Sequence, residues 1–189
     1  AYGIDLWVSE NNALSRNEII NSQDGIYVWR SNENTIANNA VSGNAGTGLK
    51  LDQSRLNEVA QNTISNNLDG LILDWCGKSV LKGNVLDENI RNLGVYGYSI
   101  ENFLMEIDFS NTVNECPVYY LTNQKNMVLN ALGGRAGYVG LINCTQMEIN
   151  GVNLTYNGQG VLVAYTANSS LENLQVHDND EGIVLISSN

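Results

Sequence analysis

With 189 residues, the chain is long enough for one domain with a substantial core. Only 15% of residues are charged and the net charge is −11, with nine Lys and Arg in all, which excludes phosphate-backbone recognition and adhesion to anionic lipid. No apolar run approaches the roughly 20 residues that cross a bilayer, so neither nucleic acid nor a membrane span is expected.

In chain order, short apolar strands recur behind a glycine. Coils begin at Gly3, Gly25, Gly48 and Gly70, with steps of 22, 23 and 22 residues. One and three residues after each start stand Ile4/Leu6, Ile26/Val28, Leu49/Leu51 and Leu71/Leu73. This alternation marks a strand with one buried face. A second apolar column follows at Leu14, Ile36, Val59 and Leu81, and a third at Ile19, Val41, Ile64 and Leu86. From Leu93 to Gly137 the register slips. Coil five, with Gly94, Val95, Leu104 and Phe109, reads as one residue short at its first turn. Coil six starts near Pro117 with Val118, Tyr120 and Val128 as its inward set. Its return leg, 131–137, serves either as a functional loop or as a splice between two blocks. Regular coils resume at Tyr138, Gly160 and Gly182 with Val139/Leu141, Val161/Val163 and Ile183/Leu185, then Ile149 and Leu171, then Leu154 and Val176.

Such a period predicts an all-β solenoid: a single-stranded, right-handed parallel β-helix of the pectin-lyase-like type, with about eight coils of ~22 residues. A leucine-rich repeat would need a helical leg and a leucine consensus that the chain lacks. One domain covers residues 1–189: regular coils over 3–92, irregular coils over 93–137 and regular coils over 138–189. Asparagines occupy two corner positions, Asn17/Asn39/Asn62/Asn84 and Asn44/Asn67/Asn89/Asn157/Asn179. They suit sharp left-handed turns and can bond to their stacked copies. Val152 and Leu174 replace the first set in the late coils, which predicts a changed corner there. Solenoid ends are open sheet edges, so neighbouring domains or subunits are expected over them, and the chain reads as part of a longer polypeptide.

Four residues after each coil start stand Trp7, Trp29, Asp52 and Asp74, an outward column on one sheet. Stacked aromatics beside acids suit a sugar ring and its hydroxyls. Two carboxylates on adjoining rungs, about 5 Å apart, also match a retaining glycosidase pair, so Asp52 and Asp74 are the catalytic candidates. The same pair suits a cation or no role at all, and Lys50 on the same face can neutralise it. A lyase would use an Arg or Lys base, for which Arg30 and Arg55 are the nearest candidates. His177, beside Asp178, reads as a solvated corner. Tyr96, Tyr98, Tyr119, Tyr120, Tyr138 and Tyr156 gather around the irregular middle, to line a groove or to pack it. Cys76, Cys116 and Cys144 cannot all pair; buried thiols are expected, with Cys116–Cys144 as the alternative bridge. Asn143, Asn153 and Asn168 begin glycosylation sequons, which matter only in an exported chain.

Gly25-Ile26-Tyr27-Val28-Trp29 followed by Asn34-Thr35-Ile36-Ala37-Asn38-Asn39 resembles the repeats of NosD-type, carbohydrate-binding and sugar-hydrolase β-helices. Pro117-Val118-Tyr119-Tyr120 and the stretch 136–145 resemble a segment of methanogen surface proteins, including S-layer-like archaeal glycoproteins. The resemblance implies export and a place on the cell surface. For relatives near NosD it also implies copper delivery, for which one histidine and no Met- or Cys-rich cluster is a poor donor set. The expected function is thus a non-enzymatic extracellular module with a structural or carbohydrate-contacting role, with envelope proteins or glycans as partners. The alternatives are a polysaccharide lyase or glycosidase using Asp52 and Asp74, and an envelope protein binding Ca or Cu. No metal site or cofactor is expected beyond Ca at the acidic column.

Overall fold

A computed structural model describes residues 1–130 and 135–189. It is a parallel β-helix, built as two solenoids with a reversal between them. In the first, strands Tyr2–Trp7, Asp24–Trp29, Thr47–Asp52, Asp69–Asp74 and Arg91–Tyr96 form a five-stranded sheet. The pairing superposes the predicted columns: Leu14 on Ile36 on Val59 on Leu81, and Ile19 on Val41 on Ile64 on Leu86. Ile26, Leu49, Leu51, Val59 and Ile64 are wholly buried, so the bore is a continuous apolar channel.

Corners follow one rule. A residue with positive φ comes first, and the next residue turns a polar side chain into the wall, as at Asn38–Asn39, Gln61–Asn62 and Asn66–Asn67. The ladder asparagines therefore do not adopt the left-handed backbone themselves. Their neighbours do, which corrects the expectation that one residue serves both needs. Asn39, Asn62, Asn84 and Asn111 bond in series at 2.8–3.0 Å. Asn44, Asn67 and Asn89 do the same at 2.9 Å. A third ladder runs through Asn34 and Asn57, and a fourth through Ser31, Ser54 and Cys76. In the late coils Gly151 and Asn173 keep positive φ ahead of Val152 and Leu174, so that corner retains its shape. The side-chain bond is lost there, but the backbone bend does not depend on it.

Coil five is longer than expected. Asn84 reaches Asn111 across 27 residues, because the four-residue helix Ile100–Phe103 is inserted after the first leg. Its inward residues are Leu93, Val95, Ile107 and Val113; Leu104 is only partly buried and Phe109 is 56% exposed. At Asn114 and Glu115, both with positive φ, the chain reverses, and Cys116–Thr122 pairs antiparallel with Thr112–Val113. A second solenoid grows from that strand through Tyr138–Ile142, Gln159–Ala164 and Glu181–Ile186.

Every residue of Tyr138–Ile142 and Gln159–Ala164 is buried, so these strands are covered on both faces. Val139, Leu141, Val161 and Val163 fill the second bore with Leu121, Ile149 and Leu154. The opposite face, Val118, Tyr120, Tyr138, Ile142, Leu162 and Ala164, joins the core of the first solenoid beside Val95, Phe103, Met105 and Val113. The second solenoid thus closes one end of the first, satisfying an edge that solenoids otherwise leave open. It also corrects the inward set of coil six. Val118 and Tyr120 point at the first solenoid, Tyr119 and Leu121 point into their own, and Val128 is exposed. Residues 131–134 of the return leg lie outside the described residues.

Candidate functional site

The sheet of the first solenoid has its inward face in the bore and its outward face in solvent. Outward, Trp7, Trp29, Asp52, Asp74 and Tyr96 lie in register as one column. Asp5, Tyr27, Lys50, Ile72 and Gly94 form the next. All four predicted residues are brought together, and Tyr96 extends their column by one rung.

One end of this face is aromatic. Trp7, 67% exposed, meets the Trp29 ring edge-on at 5.2 Å. Tyr2 and Tyr27 stack at 4.9 Å. With Asp5 these rings line a hollow of about 290 Å³. The Arg30 guanidinium lies 4.4 Å over the Trp29 ring and donates to Gln53, so Arg30 braces an aromatic.

The middle is ionic. Lys50 Nζ stands 3.2 Å from Asp52 Oδ2 and 3.6 Å from Asp74 Oδ2, and the Tyr27 hydroxyl donates to Asp52 Oδ2 at 3.0 Å. Burial raises the Asp74 carboxyl above its usual range, against the opposing pull of Lys50. Burial and Asp52 push the Tyr27 phenol up, which keeps it a neutral donor. A divalent cation seeking these carboxylates would have to displace the ammonium between them. The same ammonium works against a glycosidase pair, in which one carboxyl must hold a proton.

At the far end the sheet meets the second solenoid. A cleft of about 350 Å³ is lined by Asp74, Trp75, Tyr96 and Tyr98 on one side and Gln159 and Glu181 on the other. Beside it, sharing Asp74 and Tyr96, lie Lys50, Asp69, Arg91 and Asp180. Arg91 ties the two solenoids, with Nη2 3.1 Å from Asp69 and Nη1 3.4 Å from Asp180. Trp75, Gln159, Asp180 and Glu181 escaped the sequence reading. Tyr96 was accessible to it, one coil after Asp74. The others belong to the site only because the chain reverses, and no period encodes that.

Elsewhere the candidates disperse. Tyr120 and Tyr138 are buried packing residues, while the Tyr119 ring lies tilted against Phe109 with centroids 5.2 Å apart. Tyr156 is 46% exposed, and Tyr96 and Tyr98 line the cleft, so the tyrosine group divides between packing and groove. Arg55 lines none of these hollows. Asn143, Asn153 and Asn168 are exposed. His177 is exposed and its Nδ1 lies 2.8 Å from Asp178 Oδ2. The three cysteines are free: Cys76 and Cys144 buried in hydroxyl-ladder positions, Cys116 half-buried. Among the described residues no three His, Cys, Asp or Glu side chains form a metal-ligating group. No helix among them is long and apolar enough to cross a membrane.

A comparison with curated proteins finds no match. A family model described as periplasmic copper-binding protein (NosD) matches residues 1–127, which takes in the whole first solenoid, the reversal and the first strand of the second. By that match, and by the stacked parallel coils it covers, the chain belongs to the NosD family of β-helix proteins.

Proposed function

We propose that this β-helix is a non-enzymatic module of the cell envelope whose first-solenoid sheet contacts carbohydrate. The observation that carries the reading is the platform of Trp7, Trp29, Tyr2 and Tyr27 beside Asp5, with Trp7 and Trp29 in the column that runs on into Asp52 and Asp74. Flat apolar rings next to acceptor oxygens are what a sugar's C–H face and hydroxyls require. The periplasmic description of the family supports a location outside the cytoplasm, on the envelope or cell surface. Exposed sequons at Asn143, Asn153 and Asn168 suit glycosylation there. Other envelope proteins or glycans are the natural partners.

The platform is tested on a glycan array, with titration of any hit. Trp7→Ala is expected to weaken binding about tenfold, the loss of one stacking ring. An array without hits, or a hit indifferent to Trp7→Ala, refutes the reading.

Copper-binding, the property by which the family is described, does not fit these residues. Copper prefers clustered imidazole or soft sulfur ligands. Here the single histidine pairs with Asp178, and Cys76 and Cys144 are buried against backbone carbonyls. Polysaccharide cleavage is the second reading, favoured by the raised Asp74 carboxyl. It predicts new reducing ends or unsaturated products from a glycan panel, abolished by Asp74→Asn.

A further inference from the structure

The cleft between the two solenoids differs in chemistry from the platform. Three aromatic side chains, Trp75, Tyr96 and Tyr98, stand around it, with Trp75 39% and Tyr98 80% exposed and their rings edge-on at 5.3 Å. The Tyr96 ring lies across Gly94 and towards Gly158, two positions where an added Cβ would collide with it. Bare backbone on both solenoids therefore lets this ring form the floor.

Two carboxylates reach the same space. Asp74 shares Lys50 with Asp52, and Glu181 has the Gln159 amide at 3.3 Å but no ion-pair partner among the described residues. Gln159 is itself 1% exposed and fixed, accepting from the Val95 amide and the Tyr138 hydroxyl. Of the two cations nearby, Arg91 is engaged by Asp69 and Asp180, and Lys50 by Asp52 and Asp74. The cleft is left with aromatic faces, a fixed amide and net negative charge.

We propose that this cleft binds a cationic amine carried on a sugar ring, the class of unacetylated hexosamine. Ring faces attract a cation that leaves bulk water, and the Glu181 carboxylate pairs with it. Tyr96 and Asp74 stand in the column that also holds Trp7 and Trp29, so a glycan chain lying along the sheet would lead into the cleft. The inference deepens the carbohydrate reading and rests on it.

The test titrates the whole chain with three probes: a glucosamine tetramer, an N-acetylglucosamine tetramer and cellotetraose. The glucosamine tetramer is expected to bind about tenfold more tightly than the other two, and less tightly in 0.5 M salt. Glu181→Gln, an isosteric change at an exposed position, should remove that preference, and so should Trp75→Ala. Equal binding of all three probes, a preference that survives Glu181→Gln, or no binding of the glucosamine tetramer overturns the proposal. Equal binding of all three probes that is lost on Trp7→Ala and untouched by Trp75→Ala would leave the platform standing while the amine site falls. If no glycan of any kind binds, both readings fail together.

Discussion

Asn62 shows what a corner residue does in this fold. Its Nδ2 donates to the Ile36 carbonyl at 2.8 Å and to Asn84 Oδ1 at 3.0 Å, and its Oδ1 accepts from the Asn39 backbone and side chain. Asn62→Ala strands buried partners in two neighbouring coils and is expected to destabilise by about 3 kcal/mol in urea unfolding. Cys76 occupies the equivalent place in the hydroxyl ladder, with Sγ 3.1 Å from the Leu51 and Asp74 carbonyls. Burial pushes its thiol up to about 12, so little thiolate forms at neutral pH. Alkylation of the native protein followed by mass spectrometry should modify half-buried Cys116 first and leave Cys76 unmodified until unfolding. Asp74 differs from both. Its folded carboxyl titrates above the unfolded one, so the folded state holds the proton more tightly. Its contribution to stability is full below the unfolded value and is lost as pH rises through the folded one. Asp74→Asn is therefore expected to keep or raise the urea midpoint at pH 7, and a lower midpoint would contradict the burial argument.

At the scale of the strand, the coil-start glycines are set by the closing leg of their own coil. A Cβ on Gly48 would stand 2.6 Å from Ile64 Cγ2 and 2.7 Å from Asn67 Nδ2. Gly48→Ala should cost about 2 kcal/mol by overpacking, read as a lower midpoint with an unchanged denaturant slope. The apolar columns and two of the three asparagine ladders were legible in the sequence, because stacking makes neighbours of residues about 22 positions apart. Which residue bends the backbone was not legible. Arg16, Asn38, Gln61 and Gly83 hold one corner with four different residue types, so composition carries no signal there. The inward set of 117–121 was misassigned for a related reason. Both faces of that strand are apolar, and alternation cannot say which face meets which core.

At the scale of the whole molecule, the second solenoid works as a plug. Leu162 is fully buried although it points away from its own bore, whereas Leu185, one coil on and pointing inward, is 62% exposed. Leu162→Asp should destabilise by about 4 kcal/mol, as expected for an unpaired charge placed in a core. Leu185→Asp should change stability by less than about 1 kcal/mol. The reverse order in a thermal or urea melt would mean that the two solenoids do not share a core.

The sequence by itself determined the winding, the coil length, the columns and the outward row of Trp7, Trp29, Asp52 and Asp74, because each depends on spacing along the chain. Only the tertiary structure decided that the chain turns back at Asn114 and Glu115, that Val118, Tyr120 and Leu162 close the first solenoid, and that Glu181 faces Trp75 across a cleft. The physical reason is range. A repeat specifies contacts between one coil and the next, whereas the junction joins residues such as Leu93 and Asn157, 64 positions apart, through a single packing event that no second copy in the chain repeats.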